Sequence, residues 1–200
     1  MIKVALTGGI ASGKTVFLDA VESISGVKTL QADELAKEVY RPENPRFDEV
    51  VEILGQDILT ETGTVDLGRV SQKVFQDEEL LQKIEKISHP YVKERIAELS
   101  TRFESNGVSL LVVEIPLLFQ SPEVDREEFD YIVLLTLEHE MQVKRLVERD
   151  NLSRSRAEDR IKTQSLPESA AEKADYVIRT DSSLEETKKK AIRVIGEILN

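Results

Sequence analysis

Near the start of the chain, Gly8-Gly9-Ile10-Ala11-Ser12-Gly13-Lys14-Thr15 fits the pattern G-x-x-x-x-G-K-[ST] in full. The order has a physical reading. Glycines let the backbone turn around a phosphate and point several N–H groups at it, and a helix starting there adds the positive end of its dipole. Gly9, Ala11, Ser12, Gly13 and Val16 are the loop and first-turn residues that would bind the nucleotide. Lys14 reaches the terminal phosphates as a point charge. The hydroxyl of Thr15 is a candidate ligand for Mg²⁺, which prefers oxygen and keeps waters. The pattern predicts a bound nucleoside triphosphate, without separating ATP from GTP.

Two acids can complete such a site. Asp33 follows a predicted strand, which in an open parallel sheet puts it at the same carboxyl edge as the loop. A carboxylate there orients an alcohol acceptor and takes its proton. An acceptor that is already a phosphate would favour arginine forks. The competing reading is that Asp33 only caps a helix beginning at Glu34. Glu114 ends the apolar run Leu111-Val112-Val113. It is either a contact to Mg²⁺, direct or through water, or an edge acid facing solvent.

Arg145 and Arg149 are four apart, as are Arg156 and Arg160, so each pair shares a helix face. Arginine neutralises charge on a transferred phosphoryl group and stacks on adenine. A segment carrying these pairs can act as a lid that excludes water. Arg145 and Arg149 are the candidate nucleotide contacts, and Arg149 the catalytic candidate. The alternative is a solvated helix pair in which Glu148, Glu158 and Asp159 balance the charge. His89 precedes Pro90 and either compensates a helix dipole or touches the acceptor. The only other histidine is His139, and no cluster of ligand-type residues surrounds either, which speaks against a metal role. Leu117 and Phe119, with Leu118 between them, form either an apolar wall for the acceptor or plain core.

These residues need elements to hold them. Short apolar runs at 2–6, 27–30, 109–115, 131–135 and 176–178 predict five strands. The run at 109–115 is continuous enough for a central strand buried on both faces. Helical spacing predicts helices at 14–24, 34–40, 46–55, 67–75, 78–88 and 91–104, broken by Pro42, Pro45, Gly63 and Pro90. Residues 138–164 read as two helices joined near Asn151-Leu152-Ser153. Ser155 with Glu158 would box the second, and Ser182 with Glu185 the last helix of the chain. Strands alternating with helices make an α/β fold with a mainly parallel five-stranded sheet.

Bulk properties narrow the function. The chain has 200 residues, enough for one domain with small insertions. A net charge of -11 argues against a nucleic-acid binder and requires local concentration of the cations that meet anionic substrates. The absence of cysteine removes disulfides, thiolate metal sites and a cysteine nucleophile. No signal-peptide layout precedes the loop, and no apolar run approaches the ~20 residues of a membrane helix. The expectation is a soluble, cytoplasmic protein without membrane partners, either monomeric or a weak homo-oligomer.

With these residues in place, the chain resembles dephospho-CoA kinase from about residue 4 to residue 190. The matching segments are Ala5 through Thr15, Ala32-Asp33, Ser88-His89-Pro90 and Glu114-Ile115-Pro116-Leu117-Leu118-Phe119. They continue with Gln142, Arg145, Arg149-Asp150, Arg160-Ile161, Gln164 and Ala174-Asp175-Tyr176-Val177-Ile178. The resemblance implies a three-layer P-loop kinase fold with a core at 1–33, 105–137 and 165–200. It also implies an acceptor-binding helical subdomain at about 34–104 and a lid at about 138–164. The implied reaction moves the γ-phosphoryl of ATP to the ribose 3′-hydroxyl of dephospho-CoA, with Mg²⁺ and with Asp33 as base. By the same resemblance His89 contacts the acceptor. Gln31, Gln120, Ala11 and Thr180 depart from the family, which commonly has an acid, an acid, a glycine and an asparagine there. Alternatives are a nucleoside or nucleoside-monophosphate kinase, or a nucleotide-driven switch. Against the switch, the sequence contains neither Asn-Lys-x-Asp nor Leu-Ser-Gly-Gly-Gln.

Overall fold

A computed structural model describes residues 1–120 and 126–200. The chain divides into two compact units, one of Met1–Gln31 with Arg102–Asn200 and the other of Ala32–Thr101.

The first unit is built on strands β1 (Ile2–Gly8), β2 (Val27–Gln31), β3 (Leu110–Glu114), β4 (Tyr131–Thr136) and β5 (Tyr176–Arg179). They form one sheet in the order β2-β3-β1-β4-β5, and every pairing is parallel. All five residues of β3 are buried, as its unbroken apolar run requires of a strand covered on both faces. Alternate residues Val4, Leu6, Leu110, Val112, Val133 and Leu135 pack with Phe17, Val21, Ala191 and Ile195 in one cluster. The last four belong to helices α1 (Lys14–Glu22) and α8 (Leu184–Leu199), which therefore cover one face of the sheet. Ala5, Leu111, Val113 and Leu134 point the other way and are equally buried. Each fully buried aliphatic side chain contributes about 1.5–3 kcal/mol against exposure.

The chain leaves β1 toward β2 on one side and leaves β4 toward β5 on the other. Neighbouring strands with diverging exits open a crevice at their carboxyl ends, where open α/β sheets bind ligands. The glycine-rich loop lies at the end of β1, beside β4.

Helices α6 (His139–Asp150) and α7 (Arg154–Thr163) also belong to this unit. Asn151 ends α6 at φ 51°, the left-handed conformation that asparagine tolerates. The capping residues differ from the expected Ser155 and Ser182. Ser153 accepts from the Arg156 N–H, and Ser183 from the Glu186 N–H. At the last helix Ser182 with Glu185 and Ser183 with Glu186 both fit the box spacing, whereas at α7 only Ser155 with Glu158 does. The cap nevertheless falls on Ser153 and Ser183, each with an extended backbone.

The second unit contains α2 (Ala32–Lys37), α3 (Phe47–Leu54), α4 (Leu67–Gln76) and most of α5 (Glu78–Ser105). Its own core gathers Val39, Val50, Leu54, Ile58, Val70, Ile84 and Ile87. Asp66 caps α4 by accepting from the N–H groups of Gly68 and Arg69. The expected break at Pro90 does not occur, because α5 runs 28 residues with Pro90 inside it. A proline removes one helical hydrogen bond at a cost of ~3 kcal/mol. Here buried residues on both sides of it, Ile84 and Ile87 before and Leu99 after, hold the helix together.

Candidate nucleotide-binding and active site

The loop is tightly specified around its glycines. A Cβ on Gly8 would lie 2.6 Å from the Leu135 carbonyl of the neighbouring strand and 2.7 Å from Ser12 Oγ. Only glycine permits that approach. Ser12 donates its N–H to the Gly9 carbonyl at 3.2 Å, closing a tight turn over Ile10 and Ala11. Ala11 sits at φ 60°, in the left-handed region that favours glycine. Gly13, at φ 90°, precedes the first turn of α1.

Lys14 folds back over the loop. Its Nζ donates to the carbonyls of Gly8 at 2.9 Å and Gly9 at 3.3 Å. It also pairs with Glu114 Oε1 at 3.7 Å. Glu114 is only 7% exposed, so the reading as a solvent-facing edge acid fails. Its backbone registers with Leu6 on one side and Gln31 on the other. A buried carboxylate needs such a partner, and the lysine supplies it. Thr15 is exposed in the first turn of α1, and Val16 is half-buried behind it.

The far side of the loop is held by α6 and the end of β5. Gln142 Nε2 donates to the Ile10 carbonyl at 2.7 Å. Arg145 reaches the Ala11 carbonyl at 3.3 Å, Thr180 O at 2.6 Å and Ser182 O at 3.3 Å. The hydroxyl of Thr180, fully buried, lies 2.9 Å from Ser12 O and 3.1 Å from Thr136 O. Beneath them Val143, Leu146, Ala157 and Ile161 form a small core against Ile10 and Ala11. The expectation for Arg145 was nucleotide contact; its guanidinium is directed at backbone carbonyls of the loop and of β5's exit.

Arg149 stands differently. Its guanidinium grips Asp150 side-on at 2.7 and 3.0 Å, and Arg160 meets the same carboxylate at 2.8 Å. The hydrogen bond from Arg149 holds the Asp150 carboxyl below its ordinary range, with Arg160 adding to the effect. Arg154 bridges Glu140 and Glu158, while Arg156 is exposed. After β3, Leu118 is core at 1% exposure, whereas Leu117 is exposed and Phe119 half-buried beneath the Arg126 guanidinium. Of these three, Leu117 and Phe119 keep accessible surface. Gln120, one of the family departures, donates to the Ser165 carbonyl at 2.6 Å.

Comparison with known proteins decides the family. The dephospho-CoA kinase family model matches residues 2–186. A dephospho-CoA kinase of Listeria innocua is 34% identical, over 98% of this chain and 97% of its own length. One from Corynebacterium glutamicum is 33% identical over 100% of this chain and 98% of its own. A crystal structure of a Thermus thermophilus protein superposes with a TM-score of 0.80 at 27% identity, covering 98% of this chain and 97% of that one.

The chain belongs to the dephospho-CoA kinase family.

In this dephospho-CoA kinase family member the two remaining candidates lie in the second unit. Asp33 is exposed and sits in the first turn of α2, two residues beyond Gln31, the last residue of β2. The helix begins at Ala32, so Asp33 is inside it and does not cap a helix starting at Glu34. His89 is half-buried within α5 and is therefore not the helix-end residue that the proline had suggested. Sequence reading left Gln142 and Thr180 without a role. Gln142 is a match to the family pattern and Thr180 a departure from it. Their signal was present in residue type, a donor on each, but not in spacing, since they lie 132 and 168 residues from their partners.

Proposed function

We propose that this chain transfers the γ-phosphoryl group of ATP to the ribose 3′-hydroxyl of dephospho-CoA. Family membership supports the reaction, and the loop geometry carries the nucleotide half of it. Lys14, already stretched across the Gly8 and Gly9 carbonyls, exchanges those contacts for terminal phosphate oxygens. Gly9, Ala11, Ser12, Gly13, Thr15 and Val16 bind the tail through loop and helix-start groups. Asp33 orients the acceptor hydroxyl and receives its proton as the oxygen attacks phosphorus. Arg149 exchanges its Asp150 contact for the transferring group, with Arg145 on the loop side, where α6 is already held against Ile10 and Ala11. His89, Leu117 and Phe119 meet the acceptor.

The donors beside Lys14 are oxygen-only, an exposed Thr15 hydroxyl and a buried Glu114 carboxylate. That set suits Mg²⁺, and these two residues would hold it, Glu114 directly or through water. Bound there, the ion neutralises charge on the phosphate oxygens. ATP and dephospho-CoA are the proposed small-molecule substrates. No described helix is long and apolar enough to cross a membrane, and a cytoplasmic location fits this reading.

Incubation with ATP, Mg²⁺ and dephospho-CoA should yield CoA and ADP, detected by mass. Turnover of a nucleoside with none of dephospho-CoA would replace the reading by a nucleoside kinase. Asp33→Asn should bind ATP normally and turn over roughly 10²–10⁴-fold more slowly; an unaltered rate removes Asp33 from the chemistry.

A further inference from the structure

Three successive loop carbonyls, those of Ile10, Ala11 and Ser12, are each met by a side chain remote in sequence, from Gln142, Arg145 and Thr180 respectively. A trans peptide unit carries its C=O and the following N–H on opposite sides, and the described residues contain no cis bond. Holding the Ile10 carbonyl therefore aims the Ala11 N–H, and holding the Ser12 carbonyl aims the Gly13 N–H, away from the clamping side chains. Between them, the Ser12 N–H closes the turn onto Gly9 O. The Ala11 and Gly13 N–H groups make no hydrogen bond among the described residues. They stand opposite the two short clamps, at 2.7 Å for Gln142 and 2.9 Å for Thr180.

We propose that Gln142 and Thr180 are positioning residues that hold, from behind, the peptide units whose N–H groups grip the phosphate tail. The inference rests on the loop being the triphosphate site, as proposed above. Left alone, a loop with a non-glycine residue at φ 60° would relax toward other conformations. Donors aimed in advance need no reorganisation when charge arrives, which is what makes a preorganised site bind and stabilise it. The two clamps are braced against each other. Arg145 donates to the carbonyls of both Ala11 and Thr180, and the Glu138 N–H, just before α6, bonds Asp181 Oδ1 at 2.8 Å. The close approach also accounts for Gly9, where a Cβ would lie 2.8 Å from Gln142 Nε2.

Two variants separate this role from mere packing. Thr180→Val keeps the shape and loses the hydroxyl. Gln142→Glu keeps the length and turns an acceptor toward the Ile10 carbonyl. Each should weaken ADP binding, read as Kd by calorimetry, by about tenfold. The KM for dephospho-CoA should stay within about twofold of the parent, since the clamp acts on the nucleotide side alone. Thr180→Ser restores the donor and should bring the ADP Kd back to within about threefold of the parent. A purely structural role would lower Tm and the active fraction while the folded protein bound ADP as before. Parent-like ADP affinity in folded Thr180→Val and Gln142→Glu overturns the proposal, and if Thr180→Val does not fold, Gln142→Glu decides alone. ADP binding is measured without acceptor, so a chain that makes no CoA would refute the activity while leaving the clamp to stand or fall on its own numbers.

Discussion

The phosphate loop and the arginine-bearing segment across α6 and α7 lie in one unit and are wired in opposite ways. Around the loop, the contacts run from side chains to backbone carbonyls, and the deepest donor, Thr180, is fully buried. Around Asp150, the contacts run from side chain to side chain. Arg149, Arg154 and Arg160 keep 57%, 59% and 54% of their side-chain surface exposed. Buried bonds to backbone fix a shape, because breaking one leaves a carbonyl without a partner away from water. Exposed ion pairs are worth about 0–1 kcal/mol and exchange readily with water, salt or a phosphate. One region holds its geometry before the nucleotide arrives, and the other is built to trade partners when it does.

The largest effect that sharpens this contrast is at Lys14, the one loop residue whose contacts are made to be exchanged. Lys14→Ala removes a charge aimed at the transferring group and should lower kcat/KM by roughly 10²–10³, measured by coupled ADP release. A drop of less than tenfold would mean that the loop amides alone carry the tail. Thermal stability should fall as well, because the substitution removes the ammonium that pairs with the buried Glu114 carboxylate, so the rate is compared per folded enzyme.

Much of this architecture is legible in the sequence. The five strands follow from short apolar runs, and the loop from a motif whose flanking strand and helix confirm it. Legibility fails where the deciding contact is remote or the local rule has two solutions. Ser182 with Glu185 and Ser183 with Glu186 satisfy the capping spacing equally, while before α7 the spacing favours Ser155 and the cap falls on Ser153, where the chain is extended. Pro90 is a helix breaker by local rule, yet α5 continues because the residues on either side are buried in it. Thr180 read as a loss relative to asparagine. Its hydroxyl still offers a donor, and which carbonyl receives it depends on β5 lying next to β4 in the sheet.

Ala11 offers a smaller test of the fixed region. A left-handed conformation costs a non-glycine residue roughly 1–2 kcal/mol, partly offset because glycine loses more entropy on folding. Ala11→Gly should therefore raise stability by about 0.5–1 kcal/mol, seen as a higher denaturant midpoint with an unchanged slope. Its ADP affinity should stay near that of the parent, since the carbonyl clamps remain. A loss of stability would mean that the Ala11 methyl group, which packs against the α6–α7 core, outweighs the strain.

The smallest expected change lies at Asp150, the single acid shared by Arg149 and Arg160. Asp150→Asn should cost less than about 1 kcal/mol in stability, as exposed pairs do. The pH dependence has a definite sign. The folded carboxyl titrates below its ordinary value because the arginines favour its charged form. Its contribution is therefore complete above the ordinary carboxyl range, near pH 3.9, and is lost as pH falls through the lower folded value. The stability gap between parent and Asp150→Asn should close on acidification, and it should also narrow with added salt at neutral pH. Loop bonds to Ile10 and Ser12 involve no titrating donor, so the Thr180→Val gap should hold steady under the same salt. If salt erased both gaps equally, the division into a fixed region and an exchangeable one would be wrong, and ion pairs would be shaping the loop as well.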